Sequence, residues 1–145
     1  MSARAPLILL LPAVAAAALR AGRLYRRRPF DQACRELASA PPLPPALRDP
    51  KTCLRLVNRL LPLLPPRGLR PCLKRSLLLL DLWSRCGLAP RLHLGVNTTG
   101  EGRDGHAWVS APGRPELSAP EPGYTEVFVW GARASGENPD SPSSA

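Results

Sequence analysis

The stretch from Pro71 to Trp108 decides the fold of this chain. It reads PCLKRSLLLLDLWSRCGLAPRLHLGVNTTGEGRDGHAW, an apolar helical run followed by alternating residues. Cys72 stands at the start of the helical run, and His106 lies in a predicted strand well beyond its end. A cysteine at a helix start with a histidine on a later strand is the arrangement that a thiol nucleophile and its base need.

The segment from Cys72 to Cys86 is predicted to be the central helix. Leucines and Trp83 make it apolar on most sides, which is typical of a helix buried at the centre of its domain. Gly87 is predicted to end it as a left-handed C′ residue. The helix dipole, with Lys74 and Arg75 nearby, is expected to favour the thiolate form of Cys72.

Beyond the helix the hydrophobic pattern changes to period two. It predicts strands at Arg91–Val96, Gly105–Ala111 and Tyr124–Trp130, with a further short extended piece at Arg114–Ser118. The predicted class is therefore α+β, with helices followed by an antiparallel sheet of three or four strands.

Two histidines lie in the predicted strands. His106 follows a glycine-containing loop, so we expect it at a sheet edge facing the helix start, with Trp108 on the same face. The indole of Trp108 is expected to shield the Cys–His pair from water and to contact substrate. His93 lacks such a loop and is predicted to be an ordinary surface residue.

Two shorter helices are predicted ahead of the central one. Asp31–Ala40 has Asp31 as its expected N-cap, and Lys51–Leu61 is amphipathic. Cys34 and Cys53 are predicted to be small buried residues, and Cys86 a structural one. The four cysteines include no CxxC pair, so we expect no metal site and free thiols in a reducing compartment.

The N-terminal segment is apolar and then basic. Residues 6–19, PLILLLPAVAAAAL, are too few for a confident membrane span of about 20 residues. A signal sequence, a membrane anchor, and a core or membrane-surface helix remain alternatives. The predicted divisions are an N-terminal helix at 1–28, one domain at 29–130 and a disordered tail at 131–145.

The net charge of +9 is concentrated in the first half of the chain. Residues 1–75 carry 15 Lys and Arg against 3 Asp and Glu, whereas residues 76–145 carry 5 against 8. Such a bias suits an acidic partner, anionic lipid or nucleic acid, or simply a solvated face. The basic half contains only Tyr25 and Phe30 as aromatic residues, which argues against nucleic acid.

The run PCLKRSLLLLDLWSRCGLAPRLHLGV, a polar loop and then HAWVSAPGR resemble the leader peptidases of lasso-peptide biosynthesis. These belong to the transglutaminase-like proteins that include the microcin-J-processing protein. The resemblance covers about Lys51 to Trp130. It implies a papain/transglutaminase-like core, Cys72 as nucleophile, His106 as base and no cofactor.

The same resemblance implies the biological setting. The family removes the leader from a ribosomally made precursor peptide in the cytoplasm, here with a contact to the inner face of the membrane as a further expectation. A separate recognition protein delivers the leader, and a macrolactam cyclase uses the new amine. The backbone N–H of Cys72 is expected in the oxyanion site, because Pro71 has none.

One position departs from the family pattern. Where the family has an acidic residue that orients the imidazole, this chain has Ser118, and Glu116 is the alternative third member. Serine accepts a hydrogen bond but adds no charge. A catalytically weak peptide-binding scaffold and an acyl transferase on the same Cys–His pair are therefore the competing functions.

Overall fold

The computed structural model describes residues 4–65, 68–97, 105–117 and 123–131, with side chains from residue 7. Within this part of the chain, helices come first and strands last. The helices are α1 (Arg4–Arg27), α2 (Phe30–Ala38), α3 (Pro50–Leu60) and α4 (Pro71–Arg85). The strands are β1 (Arg91–Asn97), β2 (Gly105–Ser110) and β3 (Tyr124–Trp130). They form an antiparallel sheet in the order β2-β1-β3, so the predicted α+β class is confirmed.

Helix α4 is the centre of the core. The other three helices and β2 all pack against it, and Leu77, Leu80 and Trp83 are completely buried. The helix ends as predicted, because Gly87 has a φ of 91° and its N–H donates to the Ser84 carbonyl. An apolar pattern on all sides of a helix therefore did mark its burial on all sides.

The start of α2 differs from the prediction. Its N-cap is Pro29 and its first residue is Phe30, so Asp31 lies inside the first turn and the predicted Asp31 cap is wrong. Proline sets a backbone suited to helix entry, and the Phe30 ring meets Phe128 of β3 edge to face, with centroids 5.9 Å apart. The tertiary contact thus places the helix start, while Asp31 still gains from the helix dipole.

Helix α1 buries one face and exposes the other. Val14, Ala18 and Ala21 are at most 1% exposed, whereas Ile8 and Leu19 are 64% and 65% exposed. The segment Leu7–Arg27 is long and apolar enough to cross a membrane by length and composition, with a third of the apolar window buried. Whether this segment is a signal sequence, a membrane anchor, or a core or membrane-surface helix stays a prediction.

The strand pairing contains an irregularity that determines which side chains share a face. Between β1 and β3 the register shifts at Leu94/Gly95, so Phe128 pairs with Leu94 and Glu126 with Gly95. Phe128 and Glu126 therefore lie on opposite faces although they are two residues apart. The face towards the helices carries Leu92 and Val109.

The structure also tests the predictions for the segment after β2 and for two of the cysteines. The segment predicted as extended at Arg114–Ser118 instead contains a 3-10 turn at Pro115–Leu117 that buries Leu117, so that prediction is wrong. Ser118 lies outside the described residues. Cys34 and Cys53 are completely buried, as predicted for small core residues.

Candidate active site

Cys72 is the second residue of α4 and is half-buried. Pro71 has no N–H, and Arg70 at the N-cap supplies no side-chain cap. The first N–H of the helix ladder is that of Lys74, which donates to the Arg70 carbonyl. The Cys72 and Leu73 amides therefore lie at the positive end of the helix without a capping side chain. In this position they can donate hydrogen bonds to an anion.

The Lys74 ammonium is directed away from the position expected from the sequence. Its Nζ donates to the Leu64 carbonyl at 2.8 Å, and the residue is only 7% exposed. The lysine thus ties the chain ahead of α4 to the helix. The dipole and the free amides, rather than this ammonium, are the positive features next to Cys72.

The start of α4 lies against the start of β2. The Arg70 guanidinium donates from Nη1 to the Gly105 carbonyl at 2.8 Å, one residue before His106. In the described sheet β2 is an edge strand, as expected for His106. The register places the His106 side chain on the face opposite Leu92 and Val109, however, so it does not face the start of α4 as expected from the sequence. The Cys72 thiol makes no hydrogen bond to His106 among the described residues, and catalytic contacts of this kind often tighten only with substrate bound.

His106 belongs to a row of four rings on the sheet face away from the helices. We call this row, His93–Trp108–His106–Tyr124, the ring stack. Its centroid separations are 5.3 Å from His93 to Trp108, 5.9 Å from Trp108 to His106 and 4.9 Å from His106 to Tyr124. His106 and Trp108 therefore share a face, as predicted, and each ring restricts the next.

His93 is not the surface residue that the sequence suggested. Its side chain is only 14% exposed, and both ring nitrogens have partners. Nε2 lies 2.6 Å from the Ser110 hydroxyl, and Nδ1 is hydrogen-bonded to Glu126 Oε1. The two partners fix the orientation of the first ring of the stack.

The candidates for a third catalytic residue have different outcomes. Glu116 is exposed, and its carboxylate accepts a hydrogen bond from the Arg114 guanidinium, which lowers the pKa of Glu116. Among the residues that the structure describes, Glu116 makes no hydrogen bond to His106. Since Ser118 lies outside the described residues, the identity of the third residue stays a prediction.

A cleft of about 280 Å³ opens between α3, α4 and β2. Leucine and tryptophan side chains form much of its wall, with Arg75 and Asn58 as polar groups. Trp108 borders this cleft and also belongs to the ring stack. A cleft lined by both apolar and polar groups has the character of a site for a peptide side chain. The substrate contact of Trp108 stays a prediction.

Gly95 makes room for the ring stack, and this gives a first test. A Cβ at Gly95 would lie 2.8 Å from Trp108 Cζ3 and 3.1 Å from the Thr125 carbonyl oxygen. Gly95→Ala is therefore expected to displace the indole and to lower the free energy of unfolding by about 1–3 kcal/mol. Urea unfolding measures the loss, and near-ultraviolet circular dichroism reports the altered tryptophan packing.

Gly105→Ala is the matched control on the neighbouring strand. A Cβ there finds its nearest neighbour, Arg70 Nη1, at 3.6 Å, which is ordinary contact. The control is expected to keep the wild-type near-ultraviolet spectrum. Equal spectral changes in the two variants would contradict the close contact at Gly95.

Comparison with curated proteins and with solved structures returns no match for this chain. Residues 9–129 match the family model described as the transglutaminase-like superfamily. The match extends from α1 into β3 and includes both Cys72 and His106. Activities of this superfamily are of the cysteine peptidase and acyltransferase type. Since the match covers well over half of its 145 residues, the chain belongs to the transglutaminase-like superfamily.

Proposed function

We propose that this protein is a cysteine peptidase that removes the leader from a ribosomally made lasso-peptide precursor. Superfamily membership supports the cysteine chemistry, and the CLKRSL and HAWV motifs support the narrower assignment. The observation that carries the proposal is the uncapped first turn of α4, with Cys72 in it, fastened beside β2 by Arg70 and Gly105.

The proposed reaction uses that turn directly. The Cys72 thiolate attacks the scissile carbonyl carbon while the amides of Cys72 and Leu73 stabilise the oxyanion. Protonated His106 donates its proton to the leaving amine as the C–N bond breaks, which leaves the leader as a thioester on Cys72. Water, deprotonated by His106, then hydrolyses the thioester and restores the thiolate.

The proposed partners follow from the same assignment. The precursor peptide occupies the cleft beside Trp108, and a separate recognition protein supplies the leader. The amine released by cleavage is the nucleophile that a macrolactam cyclase joins to a side-chain carboxyl. None of these proposed steps requires a cofactor.

Two observations favour a second candidate, a peptide-binding scaffold with little activity. Within the part of the chain that the structure describes, the Cys72 thiol makes no hydrogen bond to His106, and the sequence has serine at the expected position of the third acidic residue. Acyl transfer to an amine remains the alternative on the same two residues, because only the acceptor of the thioester differs.

The test is incubation of the protein with its precursor peptide and recognition protein, read by mass spectrometry beside a Cys72→Ala variant. Two fragments that vanish in the variant establish the peptidase. A product carrying an added amine establishes the transferase instead. Binding of the precursor by both proteins, with no product from either, establishes the scaffold and overturns the peptidase.

The proposed location is the cytoplasm, at the inner face of the membrane. The exposed apolar residues of α1 include Ile8, Leu9 and Leu19, and exposed arginines at 23 and 26–28 follow towards its end. Apolar side chains beside clustered arginines suit an anionic lipid surface. Flotation with vesicles of anionic lipid tests this, with zwitterionic vesicles as control. Equal recovery with the two vesicle types would contradict it.

A further inference from the structure

Two cysteines that the proposed reaction does not use face each other across two helices. Cys53 Sγ of α3 and Cys86 Sγ at the end of α4 are 3.8 Å apart, within sulfur hydrogen-bond distance. All four cysteines are free thiols. Cys72 lies at the opposite end of α4 from Cys86, so the facing pair is separate from the candidate active site.

The two helices are fastened together next to the pair. The Trp83 indole donates from Nε1 to the carbonyl of Pro50 at 3.1 Å, joining the last turn of α4 to the first residue of α3. Cys86 is the C-cap of α4, and its backbone N–H donates to the carbonyls of Leu82 and Trp83. A disulfide requires the two sulfurs to approach to about 2.05 Å. Because the two helix ends are adjacent, rotation of the two side chains supplies this short approach.

The environments of the two thiols are unequal. Cys53 is completely buried, and its hydrogen bond to Cys86 together with burial raises the pKa of Cys53. The hydrogen bond from Cys53 lowers the pKa of Cys86, and the charges of Arg48 and Arg85 act in the same direction. Burial and Asp49 oppose this effect without reversing it.

Accessibility divides the pair in the same way. Cys86 is partly exposed, so a small oxidant in solvent reaches it, whereas Cys53 has no exposed surface. The thiol whose pKa is lowered is thus the one that solvent reaches. Low-pKa accessible cysteines beside a second thiol are the ones that oxidise reversibly.

We propose that Cys53 and Cys86 form a peroxide-oxidisable dithiol site whose disulfide joins the start of α3 to the end of α4. The Cys86 thiolate attacks one oxygen of a hydroperoxide. An S–O bond forms, the O–O bond breaks, and hydroxide or alkoxide leaves with the electron pair. Cys86 is then a sulfenic acid, oxidised by two electrons.

Cys53 resolves this intermediate. Its sulfur attacks the Cys86 sulfur, the S–S bond forms, the S–O bond breaks, and the Cys53 proton leaves with the oxygen as water. The two thiols together lose two electrons, which reduce the peroxide to the oxidation level of water. A thiol reductant reverses the reaction by exchange.

The experiment exposes the native full chain to hydrogen peroxide, blocks remaining thiols by alkylation and digests with trypsin under non-reducing conditions. The expected product is a cross-link between peptides Thr52–Arg55 and Cys86–Arg91, two hydrogens lighter than the free pair and lost on reduction. Cys34 and Cys72 are expected to appear outside that cross-link.

Two variants make the result decisive. Cys86→Ser removes the accessible thiol at a partly exposed position and is expected to leave Cys53 unoxidised under the same treatment. Cys34→Ala, at a buried cysteine of α2, is the matched control and is expected to keep the cross-link. Oxidation of Cys86 to sulfinic acid without a cross-link, or a bridge from either cysteine to Cys72, would overturn the proposal.

Discussion

Replacement of Cys72 by alanine is expected to lower the rate of leader removal at least about 10³-fold, and replacement of His106 by alanine to do the same. The two residues act as one unit in the proposed reaction, because the thiolate needs the imidazole as proton donor and acceptor. The double variant should therefore be no slower than either single variant. Cleavage rates for the three variants, measured by mass spectrometry, provide the comparison.

Cys34→Ala is the control for loss of a thiol. Burial, with the charge of Asp31, raises the pKa of Cys34 to about 12, so this residue stays a thiol and is expected to be dispensable for the reaction. Full activity in Cys72→Ala, or equal losses in Cys34→Ala and Cys72→Ala with both proteins folded, would refute Cys72 as the nucleophile.

The second large effect concerns the stability of the helical core. Asp81 of α4 is 1% exposed, with Arg20 Nη1 of α1 at 3.4 Å from its Oδ2. Burial raises the pKa of Asp81 to about 6, and Arg20 and Arg85 only partly offset this. Desolvation of the carboxylate therefore outweighs its ion pair.

The sign of the pH dependence follows from this raised pKa. At pH values between 3.8, the ordinary pKa of an aspartate, and about 6, the raised pKa of Asp81, the folded protein holds a proton on Asp81 that the unfolded chain has lost. The contribution of Asp81 to stability therefore falls as pH rises through this window, by about 3 kcal/mol in total, and is constant above it.

Asp81→Asn is expected to remove this penalty. The variant should match the wild type in unfolding free energy near about pH 4 and exceed it by up to about 3 kcal/mol near about pH 8. Urea titrations at the two pH values measure the difference. Arg20 keeps a partner in the variant, because its Nη2 also donates to the Glu36 carbonyl.

Arg20→Leu is expected to change the free energy of unfolding in the opposite direction. It leaves the buried Asp81 carboxylate without its nearest cation, so stability near about pH 8 should fall by about 3–5 kcal/mol and recover partly on acidification. Asp31→Asn, at an exposed carboxyl of α2, serves as the control for simple loss of a negative charge. A lower stability of Asp81→Asn than wild type near about pH 8 would contradict the dominance of desolvation.

The prediction of α4 succeeded because its pattern is strong and local. Leucines on nearly every side require burial on every side, and Gly87 supplies the left-handed residue that ends the helix. The same local reasoning failed at Asp31. There the chain had already entered the helix at Phe30, whose ring packs on Phe128 from a strand far along the sequence.

The role of His93 was beyond local reasoning for a different reason. Alternation correctly placed His93 on the face opposite Leu92, yet that face looked like solvent. The register shift at Leu94/Gly95 brings Glu126 to the same face, and pairing with β2 brings Ser110. A one-residue shift reverses which face a side chain occupies, and no local pattern encodes it.

The sequence by itself determined the order of helices and sheet, the burial of α4 and the place of Cys72 at its start. Hydrophobic periodicity indicates which side of each element avoids water, so these features can be predicted without knowing the tertiary contacts. Only the tertiary structure decided the contacts of His93 with Ser110 and Glu126, of Cys53 with Cys86, and of Arg20 with Asp81. These contacts join residues distant in sequence, and their geometry depends on strand register and helix packing, which the whole core sets at once.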